Sequence, residues 1–168
     1  MKFPYRIMLL VVCLSLSTFS IAAPVDPVEP DVRCPVCGMK VAKYNNWIAQ
    51  IQVSGEAAAM FDGVKDMLAY YFNPEKYGGS GDMAGAEIWV KDYYRLHWID
   101  GRNAYYVIGS DVLGPMGDEF VPFQHLDAAE NFMKDHQGKS ILGFDDITAD
   151  QVVKMQKKHM MKMKMKKE

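Results

Sequence analysis

Cysteine and histidine are scarce in this chain. Its 168 residues hold three cysteines and four histidines, too few for a disulfide framework across a domain of this size. No glycine-rich phosphate loop and no Gly-x-Ser-x-Gly elbow occurs, so neither a phosphate cradle nor an activated serine is readable. Asp62, Asp92, Asp100 and Asp111 fall at strand ends and helix starts and form no hydrolytic set. No enzyme site is expected. Net positive charge is confined to the two ends of the chain. The first 22 residues carry +2 and the stretch from Lys154 carries +6, which leaves −10 on residues 23–153 of a net −2 chain. An acidic body with a basic tail argues against a nucleic-acid binder built on the fold.

What is present begins with a leader. Lys2 and Arg6 precede the apolar run Ile7–Leu16, and Ser20-Ile21-Ala22 places small residues where a signal peptidase reads. The run falls short of the ~20 apolar residues that span a membrane. A signal peptide over residues 1–22 is expected, with cleavage after Ala22, an uncleaved anchor being the alternative. Bulky Val12 precedes Cys13, so Cys13 is read as a discarded leader residue rather than a lipidated one.

Processing leaves Cys34 and Cys37, inside Cys34-Pro35-Val36-Cys37-Gly38-Met39. Three sulfurs within six residues admit several chemistries. Soft sulfur ligands select soft metals, copper(I) above all. A Cys-x-x-Cys pair also serves thiol–disulfide exchange or closes a small disulfide. Redox pairs sit at helix N-termini within a strand–helix–strand unit. Here a proline-rich acidic spacer over residues 23–33 precedes the pair and a strand pattern follows it, so the redox context is missing.

The rest reads as an α+β domain. Residues 47–53 alternate as a strand, 57–61 suit a second, and Val64–Phe72 follows helical spacing behind Asp62 as N-cap. Gly78-Gly79-Ser80-Gly81-Asp82 is the expected internal boundary. Residues 87–91, 94–99 and 104–108 read as strands, the last two joined as a hairpin at Asp100-Gly101. Gly114-Pro115-Met116-Gly117 is a tight loop and residues 120–123 a short strand. Residues 127–136 form a helix capped by Asp127, and 141–144 and 147–153 a last strand and helix. Met60-Phe61-Asp62 and Pro122-Phe123-Gln124 each lead into a helix, the trace of a duplicated ββα unit with halves at 34–77 and 86–153.

These features come in an order that resembles the NosL family of copper-binding accessory proteins of nitrous oxide reductase assembly. After the cysteine motif come Trp47-Ile48-Ala49-Gln50-Ile51, Phe61-Asp62-Gly63, Ile88-Trp89-Val90-Lys91-Asp92-Tyr93 and Trp98-Ile99-Asp100. Ala104-Tyr105-Tyr106-Val107, Gly114-Pro115-Met116-Gly117 and Val121-Pro122-Phe123 complete the series, which covers residues 31–145. The resemblance implies an exported, periplasmic protein that binds one copper(I) without redox turnover. It implies two packed ββα-type halves related to the organomercurial lyase (MerB-like) domain. It implies delivery to apo nitrous oxide reductase or another exported cuproenzyme, with a membrane copper transporter as a further partner. The family's ligands fall on Cys34, Cys37, Met39 and Met116. Many members are lipoproteins, whereas this leader reads as an ordinary cleaved one.

Each sulfur also has a plainer reading. Cys34 and Cys37 could form a simple structural bridge. Met39 is a ligand or a core filler. Met116 sits in a loop rather than on a helical stripe, which core packing explains less readily. His97 and His125 are third-ligand candidates or ordinary polar residues. The tail from residue 154 holds five methionines and His159 among seven lysines. It reads as a solvated basic extension, a continued helix or a weak copper(I) collector, and its charge suits an anionic surface.

Overall fold

The computed structural model describes residues 23–81 and 83–165. The expected signal peptide and the last three tail residues lie outside the described residues. In chain order the elements are β1 (Ala49–Gln52), β2 (Ala59–Phe61), α1 (Val64–Phe72), β3 (Glu87–Lys91), β4 (Trp98–Asp100) and β5 (Tyr105–Ile108). Then come β6 (Leu113–Gly114), β7 (Gly117–Asp118), β8 (Val121–Phe123), α2 (Leu126–Asp135), β9 (Ser140–Leu142) and α3 (Ala149–Met165).

The fold mixes helix and sheet. One sheet has the order β2-β1-β3-β4, a second β8-β5-β9, and β6 and β7 form a separate hairpin. Every pairing is antiparallel. β1-β2-α1-β3 and β5-β8-α2-β9 therefore share one connectivity and one strand order, so the repeated unit is ββαβ. The sheets group the strands differently from the expected halves at 34–77 and 86–153. β3 and β4 belong to the first sheet, where Ile88 faces Ile51 and Val90 faces Ala49, all four buried. Residues 78–81 only carry the chain from α1 back to that sheet. The Asp100-Gly101 hairpin is also absent, since β4 and β5 lie in different sheets. Asp100 Oδ1 instead accepts the Arg102 N–H at 2.9 Å in a short 3-10 turn.

The spacer is tied down rather than free. The Gln50 amide donates to the Val25 carbonyl at 2.7 Å and accepts the Val25 N–H at 2.9 Å, which satisfies a glutamine buried in the centre of the first sheet. Asp26 Oδ2 accepts from Trp98 Nε1 at 2.8 Å and Lys91 Nζ at 3.1 Å. Those two contacts hold the Asp26 carboxyl below its ordinary range.

α1 is buried on nearly every face, from Val64 through Tyr70, because the first sheet and α3 pack on it and Lys65 reaches the β6–β7 hairpin. A helix enclosed in this way should be apolar all round. Lys65 and Asp66 break that rule. α3 starts in a Thr148–Gln151 capping box and docks through Val152, 2% exposed. It then continues as helix through the methionine-rich segment, as the helix propensities of Met and Lys favour.

Candidate metal centre

The cysteine motif folds back on itself. The Cys34 N–H donates to the Met39 carbonyl at 2.9 Å and the Gly38 N–H to the Cys34 carbonyl at 2.8 Å. Arg33 and Lys40 close the turn as a bridge. Gly38 takes φ +77°, the left-handed region that glycine enters without penalty. Both cysteines are free thiols, Cys34 buried and Cys37 half-buried.

Two aspartates meet them. Cys37 Sγ lies 3.1 Å from Asp62 Oδ1 and Cys34 Sγ lies 3.6 Å from Asp66 Oδ2. One ligand atom from each of the four residues falls within 4.8 Å of all the others. The expected N-cap role of Asp62 is corrected here. Gly63 occupies the N-cap position, and the fully buried Asp62 turns its carboxylate to Cys37. Its Oδ2 is buried with no hydrogen-bond partner among the described residues. An orphaned buried oxygen is costly, and a cation beside it would remove the cost. Contact with Cys34 and then burial push the Cys37 thiol up. Burial likewise raises the Asp66 carboxyl. The cluster thus holds protons that a cation can displace.

A second wall stands on a buried lysine. Lys65, 1% exposed, donates from Nζ to the Met116 carbonyl at 2.5 Å and the Asp118 carbonyl at 2.8 Å. Its backbone N–H donates to Glu119 Oε1 at 2.5 Å, which also accepts the Phe120 N–H at 3.0 Å. Burial pushes the Glu119 carboxyl up to about 8, against the opposing pull of Lys65. Gly63 makes this close approach possible. A Cβ there would stand 2.4 Å from Glu119 Oε2, and that carboxylate is fixed by two backbone donors. Gly63→Ala is expected to cost ~1–3 kcal/mol through overpacking, read from urea unfolding midpoints. An unchanged midpoint would show that Glu119 yields freely.

These elements enclose a cleft of ≈400 Å³ whose lining includes Cys37, Lys65, Asp66, Met116, Gln156 and Met160. Met116, at the tip of the β6–β7 hairpin, thus shares one cavity with Cys37 despite the distance in sequence. Met39 contributes its backbone to the cysteine turn and is not among the residues lining the cleft. His97 hydrogen-bonds Gln124 at 3.1 Å, and neither it nor the exposed His125 belongs to the cysteine–aspartate cluster. Sequence reasoning missed Asp66, Lys65 and Glu119 as site residues. No local signal marked them, since Asp62 precedes the N-cap Gly63 and only Asp66 lies on α1.

The family model described as NosL matches residues 24–152. The chain belongs to the NosL family. Two relatives are named copper-binding lipoprotein NosL. The one from Stutzerimonas stutzeri is 28% identical over 123 residues, covering 68% of this chain and 61% of its own length. The one from Achromobacter cycloclastes is 32% identical over 126 residues, covering 71% and 65%. The chain therefore spans less than two thirds of either relative. A solved structure described as the copper chaperone NosL from Shewanella denitrificans aligns with a TM-score of 0.61 at 22% identity, covering 76% of this chain and 97% of that one. The two share a fold. The NosL match takes in the cysteine turn, both aspartates, Lys65 and Met116, and stops before the methionine-rich end of α3.

Proposed function

We propose that this NosL-family protein is an exported, periplasmic copper(I) carrier rather than an enzyme. Cys34 and Cys37 supply two thiolates, Met116 a weaker and more exchangeable thioether, and Met39 closes the turn that aims the cysteines. One observation carries this reading. Two free thiols and two buried carboxylates form one cluster, and two of the four, Cys37 and Asp66, line a cleft that also holds a methionine from a distant hairpin. Thiolates bind copper(I) tightly in low-coordinate geometry. Asp62 and Asp66 accept from the thiols, whose protons are released to solvent as the metal enters. The relatives' names, copper-binding lipoprotein, agree with export and with the metal. The client in this proposal is apo nitrous oxide reductase or another exported cuproenzyme, and a membrane copper transporter is the source. The fold's kinship to the organomercurial lyase domain is part of the same reading.

Thiol–disulfide exchange is the reading it displaces. Reactive redox cysteines have a lowered thiol pKa and sit at helix N-termini. The Cys37 thiol is raised, and the pair lies in a turn ahead of a strand. Protein purified anaerobically should contain one copper per chain with two titratable thiols by mass spectrometry and thiol count. Carboxylates also suit zinc, so a parallel zinc titration belongs in the test. Preference for zinc, or turnover of a disulfide substrate, would overturn the proposal. Delivery is tested by adding the loaded protein to apo reductase and following the return of activity.

A further inference from the structure

The methionine-rich end of the chain is not a detached extension. Val152 and Met155 pack into the main core beside α1, which fixes the first half of α3. Lys158 pairs with Asp118 on β7, the strand that leaves the Met116 turn. α3 is thereby held against the hairpin that forms one wall of the metal cleft. Gln156 and Met160 are four residues apart, one above the other on a single helical face. Both line the cleft with Cys37 and Met116. Met161 lies beside a different groove with Val153, Lys154 and Lys157. Met160 is 55% exposed, so it stands at the mouth between solvent and the buried cluster.

We propose that Met160 is an entry ligand for copper(I), resting on the reading of the cleft given above. A thioether at the cleft mouth is neutral and soft. It binds copper(I), holds zinc poorly, and needs no proton removed before it binds. An ion taken up at Met160 is passed inward by ligand exchange. The bond from copper to the Met160 sulfur breaks as the bond to the Cys37 sulfur forms, the thiol proton leaves to water, and copper stays monovalent throughout. The fixed pitch of α3 presents this sulfur to the cysteine cleft, and the same pitch turns Met161 away.

Stopped-flow loading of the full chain from a coloured copper(I) chelate, without oxygen, tests this. Met160→Leu keeps the helix and the volume. It is expected to slow loading by about five-fold or more while equilibrium affinity stays within about two-fold. Met161→Leu should load like the unaltered protein. Unchanged loading in Met160→Leu overturns the entry ligand, and equal slowing in both variants overturns it in favour of non-specific collection by the tail. Failure of the unaltered protein to take up copper(I) overturns the carrier reading and this inference with it. A wild-type that loads normally beside an unaffected Met160→Leu overturns this inference alone.

Discussion

Replacing Cys34 and Cys37 together by serine should weaken copper(I) binding by about a thousand-fold or more, ~4 kcal/mol at 1.4 kcal/mol per decade. Serine nearly preserves volume and still donates to Asp62 and Asp66, so the buried carboxylates keep partners and the fold survives. What disappears is the soft thiolate pair, which an alcohol does not replace for a soft ion. Competition against a copper(I) chelator measures the loss, and circular dichroism checks the fold. A folded double variant with undiminished affinity would end the assignment. The same site gives a pH signature. Contact with Cys34 and burial hold the Cys37 thiol protonated above the ordinary thiol range. Metal binding must therefore release that proton, and apparent affinity rises with pH, by about one decade per unit for each thiol proton displaced. The sign is opposite to that for loss of a bound ligand by deprotonation. A flat profile from pH 6 to 8 would mean that the thiolate is already formed in the metal-free protein.

Local signals in the sequence were strong where one element decides its own conformation. The helix over Val64–Phe72 falls where its periodicity places it, and the strand over Glu87–Lys91 where its composition does. The Gly114–Gly117 loop closes as a two-residue turn. Partner choice is a different matter. The β-branched and aromatic run in residues 87–91 marks a strand but not the sheet it joins, and it pairs with β1 across a glycine-rich connector. Asp62 shows the same limit at the site. A carboxylate before a helix reads as a cap, because the rule sees only the helix. A thiol 25 residues away claims it instead. Lys65 reads as a solvent-facing helix position until the β6–β7 hairpin closes over it. The soft ligands were legible because sulfur is chemically distinctive. The charged residues that position them were not, since their roles depend on burial set by distant segments.

Lys65→Met should destabilise the protein by ~3–5 kcal/mol, the usual cost of removing one member of a buried charged network. The Met116 and Asp118 carbonyls lose the ammonium donor that satisfies both. Glu119 and Asp66 lose the nearby positive charge that offsets their desolvation. The methionine side chain fills much of the space and restores none of these interactions. The effect reaches the metal as well. Lys65 ties the Met116 turn to the helix that carries Asp66, so without it the thioether is no longer held over the cysteines. Met116→Leu alone should weaken copper(I) by about ten-fold. In the Lys65→Met background it should cost almost nothing further, a coupling that a double-mutant cycle isolates. X-ray absorption should show one fewer sulfur around copper in either single variant. Urea unfolding reads the stability loss. Lys65→Met as stable as the unaltered protein, with Met116→Leu costing the same in both backgrounds, would detach Lys65 from the metal site. A buried lysine whose ammonium reaches two turn carbonyls acts here as a clamp, which fixes the geometry of the thioether arm while leaving its sulfur free to exchange.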